Sequence, residues 1–362
     1  MPKTFNNIFD DIISLENLYE AHRQVQKGKK RNDVAANAKD HIEEIIDKMQ
    51  QDLINMTWQP DPYRRFVTRK EVKRRKIDEP SYRDRILQHG IVKKVRPFFE
   101  PKFIFDSYAV TPGKGQHKAV FRVQDFIRRA TKQGEVYVLQ CDIHHYYESI
   151  HHDILFAEIQ RTIRDKRLLE IWRRIIEGYS ADGTPGIGIP IGAVTSQLSA
   201  NIYLNTLDHF IKECASWKYY VRYMDDFLLI GNSKQELWAM LDDIKWFIDT
   251  QLRLKLNPKT RLFKAKQGVD FAGYRIFPQY LLPRKRNVVA ARRRFKMLSH
   301  KFKRKLVNEI DVDRRVQAFL GYMSHCRGYQ STQSTLKYLK LTKEEDSNGK
   351  NSVNCDDLSK RG

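Results

Sequence analysis

An α+β fold is the class this sequence predicts, and three observations predict it. Tyr219 to Gly231 reads Y-Y-V-R-Y-M-D-D-F-L-L-I-G, two short β-prone runs around the adjacent carboxylates Asp225 and Asp226, which is the pattern of an antiparallel hairpin. Glu135 to Asp142, E-V-Y-V-L-Q-C-D, is an apolar strand ending on an acid. Between and beyond these strands, apolar residues recur at helical spacing in several separate segments.

Composition narrows the partners. The chain has 362 residues, enough for two or three packed subdomains, and 66 Lys plus Arg against 44 Asp plus Glu, a formal charge of +22. Such an excess favours a polyanion. No stretch of about 18 apolar residues and no signal peptide is evident, so the expectation is a soluble, cytoplasmic protein without a membrane partner. The four cysteines, Cys141, Cys214, Cys326 and Cys355, make no C-x-x-C pair, so neither a disulfide framework nor a zinc site is indicated.

In chain order, Ile42, Ile45, Ile46, Met49, Leu53 and Met56 give an amphipathic helix within Val34–Met56, after the basic run Lys27–Arg31. A second basic run holds Arg64, Arg65, Arg69, Lys70, Lys73, Arg74, Arg75 and Lys76. Gly113-Lys114-Gly115 is either a plain glycine turn or a loop offering backbone N–H groups to a phosphate. His144, His145, His151 and His152 follow the first strand without a cysteine nearby or an H-E-x-x-H spacing, so a zinc site is not expected. Leu168, Ile171, Trp172 and Ile175 mark a helix. A Gly/Pro-rich loop from Gly183 then leads into a helix with Leu198, Ile202, Leu207, Phe210 and Ile211 on one face. Beyond the hairpin, Leu237, Met240, Leu241, Ile244 and Ile248 mark a helix over Ser233–Leu252. From Leu281 to Asn308 eleven Lys or Arg and no acid are interleaved with Phe295, Met297, Leu298 and Phe302, which predicts a helical segment with one apolar and one basic face. Such a helix suits either a membrane surface or a nucleic-acid backbone. A last helix is expected over Val312–Cys326, and residues 342–362 are expected to be a flexible polar tail.

Two neighbouring acids at a hairpin tip are either a solvated turn or, when held by a buried scaffold, a site for a hard cation. Tyr223-Met224-Asp225-Asp226 resembles the Y-M-D-D signature of reverse transcriptases. Other blocks resemble that family in the family's own order over residues 64–330. The resemblance implies a right-hand polymerase with an N-terminal helical extension (1–63), fingers (64–134), a palm with an antiparallel sheet (135–280) and a short helical thumb (281–341). No RNase H or endonuclease segment is expected, because the sequence ends after the thumb. It implies that Asp142, followed by I-H-H-Y-Y-E-S-I-H-H-D, is the third carboxylate beside Asp225 and Asp226. These three would hold two Mg²⁺ ions, with Mn²⁺ as a substitute, about 4 Å apart. Lys73 and Arg75 match the K-x-R pair over the incoming dNTP, and Tyr147 the aromatic that excludes a 2′-OH. Tyr223 and Met224 belong to the substrate side of the signature, and Lys259 in L-K-L-N-P-K-T matches a general acid near the leaving pyrophosphate. Gly273 in F-A-G-Y matches the primer grip, and Arg284, Lys285, Arg286, Arg292, Arg293 and Arg294 the thumb's contacts to template RNA and the RNA/cDNA duplex.

One block departs from the usual Q-G-x-x-x-S-P: here it is Ile191-Gly192-Ala193-Val194-Thr195-Ser196-Gln197. The I-G-x-x-x-S-Q form resembles the reverse transcriptases of diversity-generating retroelements, bacterial or phage-encoded. That likeness implies error-prone, adenine-mutagenised cDNA and a small basic accessory variability protein. Ile191 and Gln197 are the departures expected to lower fidelity. Alternatives are a group II intron-type or antiviral-defence reverse transcriptase and a noncatalytic RNA-binding protein.

Overall fold

A computed structural model describes residues 4–27, 41–68, 75–181 and 183–341. Lys73, Arg69, Lys70, Arg74 and the 342–362 segment lie outside the described residues, as do positions 28–40 of the expected N-terminal features. The chain divides into two compact units, residues 1–115 with 137–263, and 116–136 with 264–362.

The first unit is built around helix α8 (Val194–His209), whose Leu198, Ala200, Ile202, Tyr203, Leu204 and Leu207 are all buried. Burial of Thr195, Ser196, Ser199, Asn201 and Asp208 as well corrects the one-face expectation: α8 is packed by both α4 (Tyr82–Phe99) and α6 (His152–Gln160), and a helix largely enclosed needs no continuous polar stripe. Before these come α1 (Phe9–Ile13), α2 (Leu15–Gln26) and α3 (Ile42–Ile54), the last burying Ile46, Met49 and Leu53. Helix α7 (Lys166–Glu177) starts where Asp165 accepts from Arg167 N and Leu168 N, satisfying orphan amides of the first turn. The other oxygen of Asp165 accepts from Ile8 N at 2.8 Å and Phe9 N at 2.9 Å, which ties the N-terminal helices to the same core. Helix α9 (Lys234–Thr250) is capped by Ser233 Oγ and buries the five apolar residues expected of it.

Two sheets belong to this unit. Strands β1 (Arg64–Val67) and β2 (Lys76–Glu79) form a hairpin. The larger sheet has the order β4-β5-β3-β6, from β3 (Tyr137–Asp142), β4 (Tyr220–Tyr223), β5 (Asp226–Gly231) and β6 (Arg261–Lys264). Val138, Leu139, Cys141, Phe227, Leu228, Leu229 and Ile230 are buried, so the central strands are covered on both faces.

The second unit contains α5 (Gln116–Thr131) and a three-stranded sheet of β7 (Val269–Phe271), β8 (Tyr274–Ile276) and β9 (Leu281–Pro283). Helices α10 (Lys285–Lys303), α11 (Glu309–Met323) and α12 (Tyr329–Leu336) follow. Leu281–Pro283 is therefore strand, not the start of the basic helix. Leu281 pairs with Ile276, and Pro283, which lacks an N–H, closes the edge of the sheet. Helix α10 buries Val288, Ala291, Phe295 and Leu298, while Met297, two residues from Phe295 and so turned away from that stripe, is exposed. Among the described residues no helix is long and apolar enough to cross a membrane.

Candidate active site

The hairpin pairs Tyr223 with Asp226, leaving Met224 and Asp225 as a two-residue turn. Strand β3 lies on the other side of β5, in the register that sets Asp142 opposite Asp226. Two acids far apart in sequence thus face one another across a ladder, and Asp225 is the next residue along; all three are half-buried. Asn257 Nδ2 donates to Asp142 Oδ2 at 3.0 Å, and Asn257 N donates to Asp142 O at 2.7 Å, fastening the L-K-L-N-P-K-T loop to the first acid. Gln140 Nε2 lies 3.4 Å from Asp226 Oδ1, and Arg261 Nη2 reaches Gln140 Oε1 at 3.4 Å.

Met224 has φ +59°, a left-handed value that a two-residue hairpin turn normally gives to glycine. Arg222 holds the turn from inside: Nη1 donates to Met224 O at 3.0 Å, while Nε and Nη2 bind the two oxygens of Asp208 at 2.7 and 2.5 Å. Burial alone would push the guanidinium down, but the Asp208 carboxylate beside it keeps it above its ordinary range.

Tyr147 packs against the core with its phenol pushed above the ordinary value, first by burial and then by the Asp225 carboxylate, with Arg75 pulling the other way. Its ring therefore stands in the field of both groups. Arg75 is exposed and immediately precedes β2, its N–H donating to Thr68 Oγ1 at 3.0 Å. The hairpin is seated on the Ile191–Gly192 loop, since Asp78 N donates to Ile191 O at 3.0 Å. Buried Asp78 is held in turn by Arg65 Nε at 2.6 Å and Tyr179 Oη at 2.9 Å. Gly192 has φ +128°, and a Cβ there would sit 3.0 Å from Ile77 Cγ2 and 3.3 Å from Asp78 O. Gln197 is exposed on the first turn of α8, and Tyr223 is half-buried at the end of β4. Lys259 is exposed, with its N–H on Asn257 Oδ1 at 3.1 Å.

The Gly113–Gly115 segment is a turn and not a phosphate loop. Lys114 N donates to Thr111 O and Gly115 N to Tyr108 O, and the Lys114 ammonium donates to Phe105 O at 2.6 Å and Ser107 O at 3.0 Å. Within the histidine group, His145 Nδ1 meets Glu148 at 3.0 Å and His152 Nε2 meets Gly188 O at 2.6 Å.

Among the described residues no group of three or more His, Cys, Asp or Glu forms a ready-made metal cage. Mg²⁺ does not ask for one: it binds through one or two carboxylates and keeps water and substrate phosphate in its other positions. Facing Asp142 and Asp226, with Asp225 adjacent, offer such an all-oxygen donor set, so these residues fit the ion that the sequence led us to expect.

In the second unit Gly273, φ +89°, accepts at its carbonyl from Tyr322 Oη at 2.6 Å and Asn287 Nδ2 at 3.2 Å. Arg284 is turned onto Asp270, Nη2 donating to Asp270 O at 3.0 Å, and Arg292 Nη2 onto Ser334 Oγ at 2.8 Å. Lys285, Arg286, Arg293 and Arg294 are exposed. Sequence reasoning missed Arg222, Asp208, Asn257 and Asp78. The arginine inside an otherwise apolar strand was the signal that could have found the first.

Residues 67–276 match the family model described as reverse transcriptase (RNA-dependent DNA polymerase). Protein YkfC of Escherichia coli is 27% identical over 266 residues, 63% of this chain and 70% of that protein. The group II intron-encoded protein LtrA of Lactococcus lactis is 23% identical over 334 residues, 73% of this chain and 54% of LtrA. An apo telomerase structure from Candida tropicalis aligns at TM-score 0.46 and 15% identity, over 67% of this chain and 60% of that one. The chain thus spans little more than half the length of LtrA.

Proposed function

This chain belongs to the reverse transcriptase family, RNA-directed DNA polymerases with a mixed α/β fold, and from that premise we propose that Asp142, Asp225 and Asp226 are its catalytic carboxylates. The observation that carries the assignment is the β3–β5 register, which sets Asp142 opposite Asp226 with Asp225 in the adjoining turn. Divalent ions held there would supply Lewis-acid activation of the primer 3′-OH and stabilise charge on the leaving pyrophosphate. The chain's own residues do the remaining work. Arg75 meets phosphate oxygens, with Lys73 assigned beside it from the motif. Tyr147, close enough to Asp225 to feel its charge, fills the space a 2′-OH would need, and Lys259 serves the leaving group. Gly273 with the exposed Lys285, Arg286, Arg293 and Arg294 binds the template–primer backbone. Fingers, palm and thumb are assigned along the chain as expected from the sequence, except that the helical thumb starts after β9, which pairs with β8.

Asp225→Asn tests the catalytic assignment. It removes carboxylate charge without touching the basic contacts, so primer extension should fall by at least ~1000-fold, on the scale of losing a group essential to transition-state charge stabilisation, while RNA binding persists. Extension at near wild-type rate would refute it.

Within the family, the diversity-generating class is supported by Ile191 and Gln197, and its product would be adenine-mutagenised cDNA made with a small basic accessory protein. Ile191 offers no side-chain hydrogen bond where the usual Gln does, and one such contact is worth roughly 1 kcal/mol of discrimination. Ile191→Gln should lower adenine-directed errors several-fold in cDNA copied from an adenine-rich RNA. Unchanged errors at retained activity would remove this loop as their source. The LtrA similarity favours a group II intron-type enzyme as the second reading, and wild-type copying of adenines as accurately as other bases would select it.

A further inference from the structure

Arg222 and Asp208 are both fully buried in side chain. The guanidinium spends three nitrogens on two different elements: Asp208 and Asn201 of α8, the latter accepting at 3.1 Å, and the carbonyl of Met224 in the hairpin turn at 3.0 Å. Tyr220 Oη also donates to Asp208 Oδ1 at 2.7 Å, so the counter-charge is held from two sides. The backbone of Arg222 is pinned as well, its N–H to Asp106 O at 3.0 Å and its carbonyl by Tyr108 N at 3.0 Å.

A buried ion pair adds little net stability over apolar side chains of similar volume. What this one adds is direction. The Met224 carbonyl belongs to the peptide plane that leads into Asp225, and Met224 is held at φ +59°. Strained backbone of this kind persists only where its surroundings over-determine it. Without the guanidinium the Met224 carbonyl loses this partner, and the peptide plane leading into Asp225, with the carboxylate it carries, is freer to tilt. Helix α8, buried over most of its residues, is the element to which the turn is tied.

We infer that Arg222, with Asp208 as its counter-charge, is a positioning residue that fixes the Asp225 carboxylate through the Met224 carbonyl. This rests on the assignment of Asp225 proposed above. The test is the double variant Arg222→Met/Asp208→Leu, which replaces the pair with apolar groups and removes the hold on Met224. Three measurements are made on the full chain: thermal melting, hydrogen–deuterium exchange of peptides covering 219–231, and Mg²⁺ half-saturation of primer extension, with template–primer affinity as control.

The expected result is a cooperative melt and unchanged template–primer affinity. Exchange at the turn should be faster, and Mg²⁺ half-saturation should rise about tenfold, the factor expected when one orienting hydrogen bond is removed. Wild-type protection of the turn, or wild-type Mg²⁺ dependence in the folded double variant, overturns the inference. Should the double variant fail to melt cooperatively, Arg222→Lys decides. Lysine keeps the charge against Asp208 but lacks the fork that reaches Met224 O as well, so the same Mg²⁺ shift is expected, and its absence overturns the inference. Asp225→Asn run in parallel separates the two claims: an active Asp225→Asn sinks both, whereas an inactive one beside a wild-type-like double variant sinks only the role of Arg222.

Discussion

Replacing Gly192 by alanine probes how the β1–β2 hairpin is seated over the site. The new Cβ would lie 3.0 Å from Ile77 Cγ2 and 3.3 Å from Asp78 O, at a backbone φ of +128°. The methyl of Ile77 can give way by a few tenths of an ångström. The Asp78 oxygen is main chain in a paired strand and cannot, and the backbone conformation is disfavoured for any residue with a Cβ. Conformations of this kind cost about 1–3 kcal/mol, and the forced contact adds of order 1 kcal/mol, so the seating should weaken by about 2–4 kcal/mol. Because Arg75 immediately precedes β2, its displacement should appear as a KM for dNTP raised tenfold or more, with template–primer affinity unchanged. Ile77→Ala in the same background should recover little, because the contact with the Asp78 main-chain oxygen and the disfavoured backbone conformation both remain. Steady-state primer extension with varied dNTP, alongside urea unfolding, measures both. An alanine variant with wild-type KM and wild-type unfolding midpoint would show that the close approach of Gly192 to β2 does not matter. Complete rescue by Ile77→Ala would show that the backbone conformation costs nothing.

Asp84 is buried and its carboxyl is pushed up to about 6 by that burial, against a partial lowering by the Asp61 N–H bound to it. A raised folded-state pKa means that stability is greatest below the unfolded value near 4 and falls as pH rises through 6. Asp84→Asn should therefore raise stability by about 3 kcal/mol at pH 8 and leave it nearly unchanged at pH 4, read from melting curves at the two pH values; an equal effect at both would exclude ionisation as the cause. Asn257→Ala removes the side-chain bond to Asp142 Oδ2 and should cut kcat roughly tenfold with little change in dNTP KM, which single-turnover extension would show; an unaltered rate would separate Asn257 from the site. Neutralising Lys285, Arg286, Arg293 and Arg294 singly should each lower the slope of log affinity against log salt by about 0.7–0.9 for every phosphate that is no longer neutralised. Arg284→Ala and Arg292→Ala, whose guanidinium groups bind Asp270 and Ser334, should instead lower thermal stability with the slope retained.

Much of this architecture was legible because hydrophobic period and capping are local. Leu237 through Ile248 marked α9 together with its Ser233 cap, and the two apolar runs around Asp225-Asp226 marked the hairpin. The reverse transcriptase family was also legible, since its motifs lie in a fixed order along the chain. Period alone misjudged α8, because the pattern of one helix does not say how many neighbours enclose it. It likewise placed Leu281–Pro283 in a helix, because strand pairing with Tyr274–Ile276 depends on a partner outside the segment. Side-chain direction was beyond reach in the same way: Arg284 and Arg293 look alike in a basic run, yet one is turned onto Asp270 and the other is exposed. By itself the sequence determined which acids the molecule carries and that two of them lie next to one another in a hairpin. Only the tertiary structure decided that Asp142 faces Asp226, that Asn257 reaches Asp142 and that buried Arg222 grips the turn. Those relations are made by register and burial between distant segments, and no residue spacing encodes them.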